Sequence, residues 1–286
     1  MDIWEAYKLG FKLNLRKNGG TKPLLRLVYH PPLLAHWLTP IDFVRYREFD
    51  FAFKAIKQYG PNPDSILDLS SPKLFPLTIA HTYPEADVHS VDILNHEATS
   101  GFAAAKILGI NNFKVMVQDA RFLGCESDRF EVVTSLSVFE HIAPEKNGDI
   151  LAAKELGRVI NQGGIAVVTV PFAKSYFAEY KAGTVYERTS DKGGKIFFQR
   201  FYDYNLLSNN IIKPSGLKVI YMRFIEERCF KTNPHKRLAQ IINSSTKQNV
   251  LFGPFFFILS KIFLTNPRLL GNCTKPYIAC LVLEKR

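Results

Sequence analysis

The sequence is short of the residue types that build metal and disulfide sites. Its 286 residues hold four cysteines, Cys125, Cys229, Cys273 and Cys280, and seven histidines, with no CxxC pair and no histidine cluster. That pattern excludes a zinc site and a disulfide framework, so no metal is expected and the reduced thiols of a cytoplasmic chain fit best. Long apolar runs are also missing. The densest, residues 250–264, is broken by Gly253-Pro254 and Lys261 and falls short of the ~20 apolar residues that a membrane-spanning helix needs. The start, Met1-Asp2-Ile3-Trp4-Glu5, has neither the basic opening nor the apolar core of a signal peptide, which predicts no secretion.

Apolar residues make up 47% of the chain, enough for one large α/β domain with insertions. The net charge of +11 is unevenly spread: ten basic against five acidic residues in 1–60, eight against fourteen in 61–171, and nineteen against seven in 172–286. An acidic centre between basic flanks suggests a ligand-binding core with added parts that face an anion, whether nucleic acid, phospholipid headgroups or a phosphorylated substrate. A solvated basic surface explains the same charge.

Residues 66–80 organise the rest. Ile66-Leu67-Asp68-Leu69 is a short apolar run closed by an acid, and Ser70-Ser71-Pro72 then turns the chain into a helical pattern. A strand running directly into a helix leaves backbone N–H groups and a positive dipole end beside the acid, a common way to hold a nucleotide-like ligand. A second strand, Val88–Asp92, ends in another acid 24 residues on, placed to accept both hydroxyls of a ribose.

Pro23, Pro31-Pro32 and Pro40 cut the first 60 residues into short pieces before one amphipathic helix, Ile41–Tyr59. Within it, Arg45-Tyr46-Arg47-Glu48 is a polar cluster placed to cap a pocket, with Tyr46 as the expected substrate contact. From 61 to 171, strands at 65–69, 88–92, 114–117, 131–136 and 164–170 alternate with helices at 74–82, 95–108 and 146–160, which predicts a parallel sheet with crossover helices. Polar clusters at Asp68–Ser71, Asp92, Asp119 and Ser135–Ile142 then share the carboxyl rim, where such sheets bind ligands.

The ordered set Ile66-Leu67-Asp68, Val91-Asp92, Gln118-Asp119-Ala120, Phe130–Ser135, Phe139-Glu140-His141-Ile142, Glu155–Ile160 and Gly163-Gly164 resembles the class I S-adenosylmethionine-dependent methyltransferases, in particular their small-molecule, type 11-like branch, over about residues 60–171. The resemblance implies a Rossmann-like fold with a mostly parallel seven-stranded sheet and an antiparallel last strand. It also implies that S-adenosylmethionine lies with its methionine part on Asp68, Leu69, Ser70 and Ser71. Asp92 would then take the ribose hydroxyls, Ile93 the adenine face, Asp119 the adenine amine and Ala120 a backbone contact, with Ser135 beside them. Ribose hydroxyls and the exocyclic amine are donors, and an ionised carboxylate only accepts. His141 is the expected general base and Glu140 the runner-up. One departure stands out: Ser70, Pro72 and Leu74 occupy positions where the family has glycine, and proline cannot take the positive φ that glycine permits.

Residues 172–286 are read as substrate lid and final strands. The aromatic, basic stretch 176–202 follows a strand end, where Arg188, Arg200 and Tyr202 are expected to hold an apolar or anionic small acceptor. A hairpin around Asp191–Gly194 accounts for the same stretch. Strands at 217–226 and 276–284 are separated by an insertion, about 229–274, whose residues 250–264 are too apolar to stay exposed. Docking at the rim, a homodimer face and peripheral membrane contact are the three expected uses, the last making the protein membrane-associated. Three functions follow in order: methylation of an oxygen or nitrogen of a small acceptor, a non-catalytic scaffold of the same fold, and nucleic-acid methylation. The last is disfavoured because no Asn/Asp-Pro-Pro-Tyr/Phe run follows the fourth strand.

Overall fold

The computed structural model describes residues 2–17, 40–189, 194–228 and 255–286. Five strands alternate with helices as their sequence pattern requires: β1 (Ser65–Leu69), β2 (Asp87–Asp92), β3 (Phe113–Val117), β4 (Phe130–Leu136) and β5 (Ile160–Pro171). An antiparallel hairpin, β6 (Phe177–Lys181) and β7 (Ile196–Phe201), stands apart from the main sheet. The last strands are β8 (Lys218–Glu226) and β9 (Pro276–Glu284). The main sheet has seven strands in the order β3-β2-β1-β4-β5-β9-β8, with β9 antiparallel to both neighbours and the other pairings parallel. This is the expected fold class. The strand order reverses between β1 and β4, so the crevice for a ligand opens above their carboxyl ends.

Each central strand is apolar on both faces, as a sheet covered on two sides requires. Ile66, Val88, Val132 and Val167 face one core with α1 (Ile3–Lys17), α2 (Arg45–Tyr59), α3 (Leu74–Thr82) and α4 (Asn95–Leu108). Leu67, Val91, Val133 and Val168 face the other, under α5 (Gly148–Val159) and the helical segment 204–215. Gly157 permits the closest approach there, since a Cβ at that position would lie 1.8 Å from the Ser215 carbonyl oxygen.

Two boundaries differ by four residues from the sequence reading. The second helix starts at Arg45, not Ile41, because Pro40 and the turn at Phe43-Val44 precede it. β5 begins at Ile160 rather than 164. Phe130 pairs with Ile160 and Val132 with Ile165, so the Gly163-Gly164 stretch, with Gly163 at φ 78°, is taken up as a bulge in a longer strand. The expected hairpin turn at 191–194 lies largely outside the described residues, but its strands β6 and β7 form.

Of the insertion, 229–254 lies outside the described residues. The remainder includes α6 (Phe256–Phe263), which rests on α2 through Tyr46 and Phe257 and on the turn before α2 through Phe43 and Phe256, whose ring centroids are 6.3 Å apart. Arg47 fixes its end by donating to the Leu264 carbonyl at 2.9 Å and to Asn266 Oδ1 at 2.6 Å. Among the described residues no helix is long and apolar enough to cross a membrane.

Candidate functional site

The turn after β1 is held from both sides. Asp68, fully buried, accepts from the Ser71 backbone N–H at 3.0 Å and from the Thr134 hydroxyl at 2.7 Å. Burial pushes its carboxyl up to about 6, against the lowering effect of the Ser71 and Thr134 hydrogen bonds and of Lys73. The sharp turn that glycine would make is made by Ser70 at φ 54°. Its amide and its hydroxyl both donate to the Val91 carbonyl, each at 2.9 Å, which offsets the cost of a left-handed residue with a Cβ. Pro72 needs no positive φ, because it already opens α3 by accepting from the Phe75 N–H at 2.8 Å.

The next two acids are at the same rim, each with a cation of its own. Asp92 is 7% exposed; it accepts from the Leu94 N–H at 2.9 Å and pairs with Lys73. Asp119 is gripped by Arg121, whose Nε lies 3.0 and 2.9 Å from its two oxygens. Burial raises the Asp119 carboxyl, but the Arg121 hydrogen bonds outweigh it and hold the group below the usual range. Ile93 beside Asp92 is 55% exposed, an apolar surface open to a ligand, while the Leu69 side chain is buried in the core and Ala120 packs at its margin. Ser135 is fully buried at the end of β4, and its hydroxyl has no hydrogen-bond partner among the described residues.

Glu48 of α2 forms the second half of the rim. Its carboxylate accepts from Ser137 Oγ at 2.5 Å and Thr169 Oγ1 at 2.7 Å, joining the ends of β4 and β5, and from Arg45 Nη1 at 2.5 Å. The polar cluster on this helix thus divides between two faces. Arg45 and Glu48 point to the rim, whereas Arg47 holds α6 and Tyr46 packs on Phe257, centroids 5.6 Å apart. Tyr46, expected at the substrate, is a core residue here because helical spacing turns it away from Glu48 by two positions.

Above Glu48, a short turn at Phe139–His141 presents the expected acid–base pair. His141 Nδ1 lies 2.8 Å from the Phe198 carbonyl, which makes Nδ1 the protonated nitrogen and leaves the Nε2 lone pair free, 3.7 Å from Glu140 Oε1. Burial lowers the imidazole to about 4, assisted by Arg45, Lys181 and Arg188, so the ring is neutral. Glu140 is almost fully buried and its Oε2 accepts nothing among the described residues. Burial, reinforced by Glu48, pushes its carboxyl up to about 8.

The β6–β7 region packs against this pair. Val185 and Arg188 exchange backbone hydrogen bonds of 2.9 Å around Tyr186 and Glu187, both at positive φ, 48° and 61°. The Tyr186 ring lies 5.1 Å from that of His141, and Glu187 reaches His96 at the start of α4, 3.3 Å away. With Tyr186 on His141 and Glu187 on His96, the tip spans the gap between the two halves of the rim.

Two residues expected to touch substrate do other work. Arg200 is fully buried, and its guanidinium donates to the carbonyls of Phe139 (2.7 Å), Ile142 (3.0 Å), Pro144 (3.2 Å) and Glu145 (2.7 Å), so it shapes the loop that carries Glu140 and His141. Tyr202 is equally buried, donating to Asp149 Oδ2 at 2.9 Å. Both lie on inward positions of β7 and its continuation, where a long polar side chain must find partners inside the protein. Arg188 stays near the opening, donating to the Phe197 carbonyl at 3.3 Å. Glu48 stands in the polar cluster that the sequence places over a pocket, although Tyr46 and not Glu48 was the member expected to work there.

No protein-family model matches the sequence, and no curated protein matches it. Solved structures do. A S-adenosylmethionine-dependent methyltransferase from Clostridium acetobutylicum superposes with a TM-score of 0.54 at 11% identity, covering 86% of this chain and 93% of its own. Coclaurine N-methyltransferase bound to N-methylheliamine and SAH gives 0.53 at 13% identity over 83% of this chain and 70% of its own. The geranyl diphosphate C-methyltransferase from Streptomyces coelicolor, solved with Mg2+, geranyl diphosphate and S-adenosyl-L-homocysteine, gives 0.51 at 9% identity over 85% and 78%. With the strand order β3-β2-β1-β4-β5-β9-β8 and the antiparallel β9, these likenesses give the chain the Rossmann-like fold of class I S-adenosylmethionine-dependent methyltransferases.

Proposed function

We propose that this protein is a S-adenosylmethionine-dependent methyltransferase that modifies an oxygen or nitrogen of a small acceptor held beneath the Tyr186 tip. The observation that carries the reading is the placement of Asp68, Asp92, Asp119 and Ser135 at the carboxyl ends of β1 to β4, with the Ser135 hydroxyl lacking a partner among the described residues, an arrangement that fits an amino acid joined to an adenosine. When bound, the cofactor supplies an already activated methyl group. The chain's own share is alignment, for which orientation can contribute ~7–11 kcal/mol, and removal of the acceptor's proton. His141 Nε2 is the free base, and Glu140 sets its strength. An ionised Glu140 at 3.7 Å would raise the imidazole's affinity for a proton, so the working form is neutral His141 beside Glu140 carboxylate. Arg188 and the exposed face of Tyr186 are the acceptor contacts, suited to a partly apolar or anionic molecule. A proton acceptor at the rim suits an oxygen or nitrogen nucleophile that must shed its proton.

The pairing of Asp92 with Lys73 and of Asp119 with Arg121 supports a second reading, a scaffold of this fold that holds no cofactor. Calorimetry with S-adenosylhomocysteine separates them. The methyltransferase reading expects micromolar-range binding that Asp92→Ala weakens at least tenfold, since a carboxylate on two hydroxyls forms charge-assisted bonds of ~1.5–3 kcal/mol each. Asp119→Ala should cost less. No binding by the wild type, nor by a variant freed of the Lys73 charge, would leave the scaffold.

A further inference from the structure

We propose that Lys73 is a built-in competitor for the ribose position, so that the cofactor must displace its ammonium from Asp92 before the site can fill. The inference rests on the methyltransferase reading and adds to it a residue that sets cofactor affinity. Lys73 stands in the turn between β1 and α3, at the last position before the helix, and its Nζ contacts Asp92 Oδ2. Both side chains are largely shielded, 19% and 10% exposed, so water does not screen the pair as it would on an open surface. The stem is held in place as well: Lys73 Cδ lies 3.6 Å from where a Cβ on Gly101 would be, so α4 lets the side chain run along its face to the acid.

Asp92 has two oxygens. Oδ1 is committed to the Leu94 N–H at 2.9 Å, a bond that fixes the turn after β2. Oδ2, the oxygen left for a ligand, is the one Lys73 holds. A ribose diol therefore meets an acceptor already used by a stronger, charged donor. The apparent affinity falls by the fraction of molecules in which Lys73 has swung away.

The test is calorimetry on the full chain with S-adenosylhomocysteine and with adenosine as probes. Lys73→Met keeps the stem and removes the charge, and Lys73→Gln keeps a polar tip; circular dichroism checks that each is folded. Both variants are expected to bind each probe about tenfold more tightly than wild type, and Lys73→Arg to stay within about twofold of it. In an Asp92→Ala background the Lys73→Met gain should vanish, which a purely structural role for Lys73 would not produce. Binding seen only in the Met and Gln variants also supports the proposal. If wild type binds and both neutral variants bind equally or more weakly, Lys73 is no competitor, and the cofactor reading stands without it. If neither wild type nor any variant binds either probe, the cofactor reading fails and this inference falls with it.

Discussion

Glu48 on α2 accepts a 2.5 Å hydrogen bond from Ser137, a residue 89 positions later in the chain and the first beyond β4. Thr169 Oγ1 donates to the same oxygen at 2.7 Å, so one carboxylate ties the ends of β4 and β5 to the helical layer. Ser137 itself is at φ 53°, a left-handed residue kept in place by its amide bonds to Thr169 and by this hydroxyl bond.

Removing the Glu48 carboxylate leaves the part-buried Arg45 and Ser137 and the buried Thr169 hydroxyl without their acceptor. Glu48→Ala is expected to cost about 3 kcal/mol of unfolding free energy, the range for breaking a buried charge pair by deleting one partner. Urea unfolding of both proteins measures it. A loss within experimental error would mean that water replaces the carboxylate and that the rim does not depend on it.

Ser70 gives a sharper comparison at the first turn. Ser70→Ala keeps the left-handed Cβ and loses the hydroxyl bond to Val91, so it should destabilise by about 1 kcal/mol. Ser70→Gly loses the same bond but removes the Cβ clash, worth ~1–2 kcal/mol, and is expected to be at least as stable as wild type. Thermal unfolding of the pair reads the order directly.

Stability should fall with rising pH in one definite window. The Glu140 carboxyl rises from an ordinary 4.5 to about 8 on folding, so the folded state keeps a proton that the unfolded chain has released, and stability is lost as pH climbs between those values. Asp68 acts in the same direction between 3.8 and about 6. His141, lowered from 6.5 to about 4, acts oppositely, its contribution being lost as pH falls through that range. Above 6.5 Glu140 alone of the three remains. The expected loss from pH 6.5 to 8 is up to about 2 kcal/mol, and Glu140→Gln should flatten it. Unfolding free energies at the two pH values check both statements.

The same carboxyl governs turnover under the proposed mechanism. Once an acceptor is found, the rate at saturation should rise through about pH 8 as Glu140 ionises, and Glu140→Gln should abolish that rise while leaving S-adenosylhomocysteine affinity near wild type. His141→Ala should lower turnover about 10²-fold or more with little change in cofactor affinity. Normal turnover in that variant would reduce His141 to a packing role and leave alignment as the main device.

Arg200 separates positioning from contact. Lysine cannot reproduce a guanidinium that serves four carbonyls between Phe139 and Glu145, so Arg200→Lys is expected to destabilise by about 3 kcal/mol and to slow turnover by loosening the loop. The KM for the acceptor should move less than the turnover number, because Arg200 is sealed from the pocket. A large KM effect with unchanged stability would instead return Arg200 to the substrate.

The sequence alone determined the elements and their order, because apolar runs of two-sided strands and helical spacing are local patterns that tertiary contacts only reinforce. β1, β2, α3 and α4 fall within a residue of where periodicity puts them. It also put Asp68, Asp92 and Asp119 at strand ends, since strand length and direction follow from the same pattern. What it left open was every question of which side chain answers which. Ser70 in place of glycine was legible as a departure, but that its hydroxyl would anchor to Val91 depends on β1 and β2 pairing side by side. Arg200 and Tyr202 read as surface lid residues until β7 laid them against Asp149 and the 139–145 loop. Two partners of Glu48 lie 89 and 121 residues away, and Lys73 meets Asp92 only because β1 and β2 pair side by side and bring the start of α3 to the end of β2. Hydrogen bonds and ion pairs act over a few ångströms, so their partners are set by how layers pack, and a linear chain does not carry that distance.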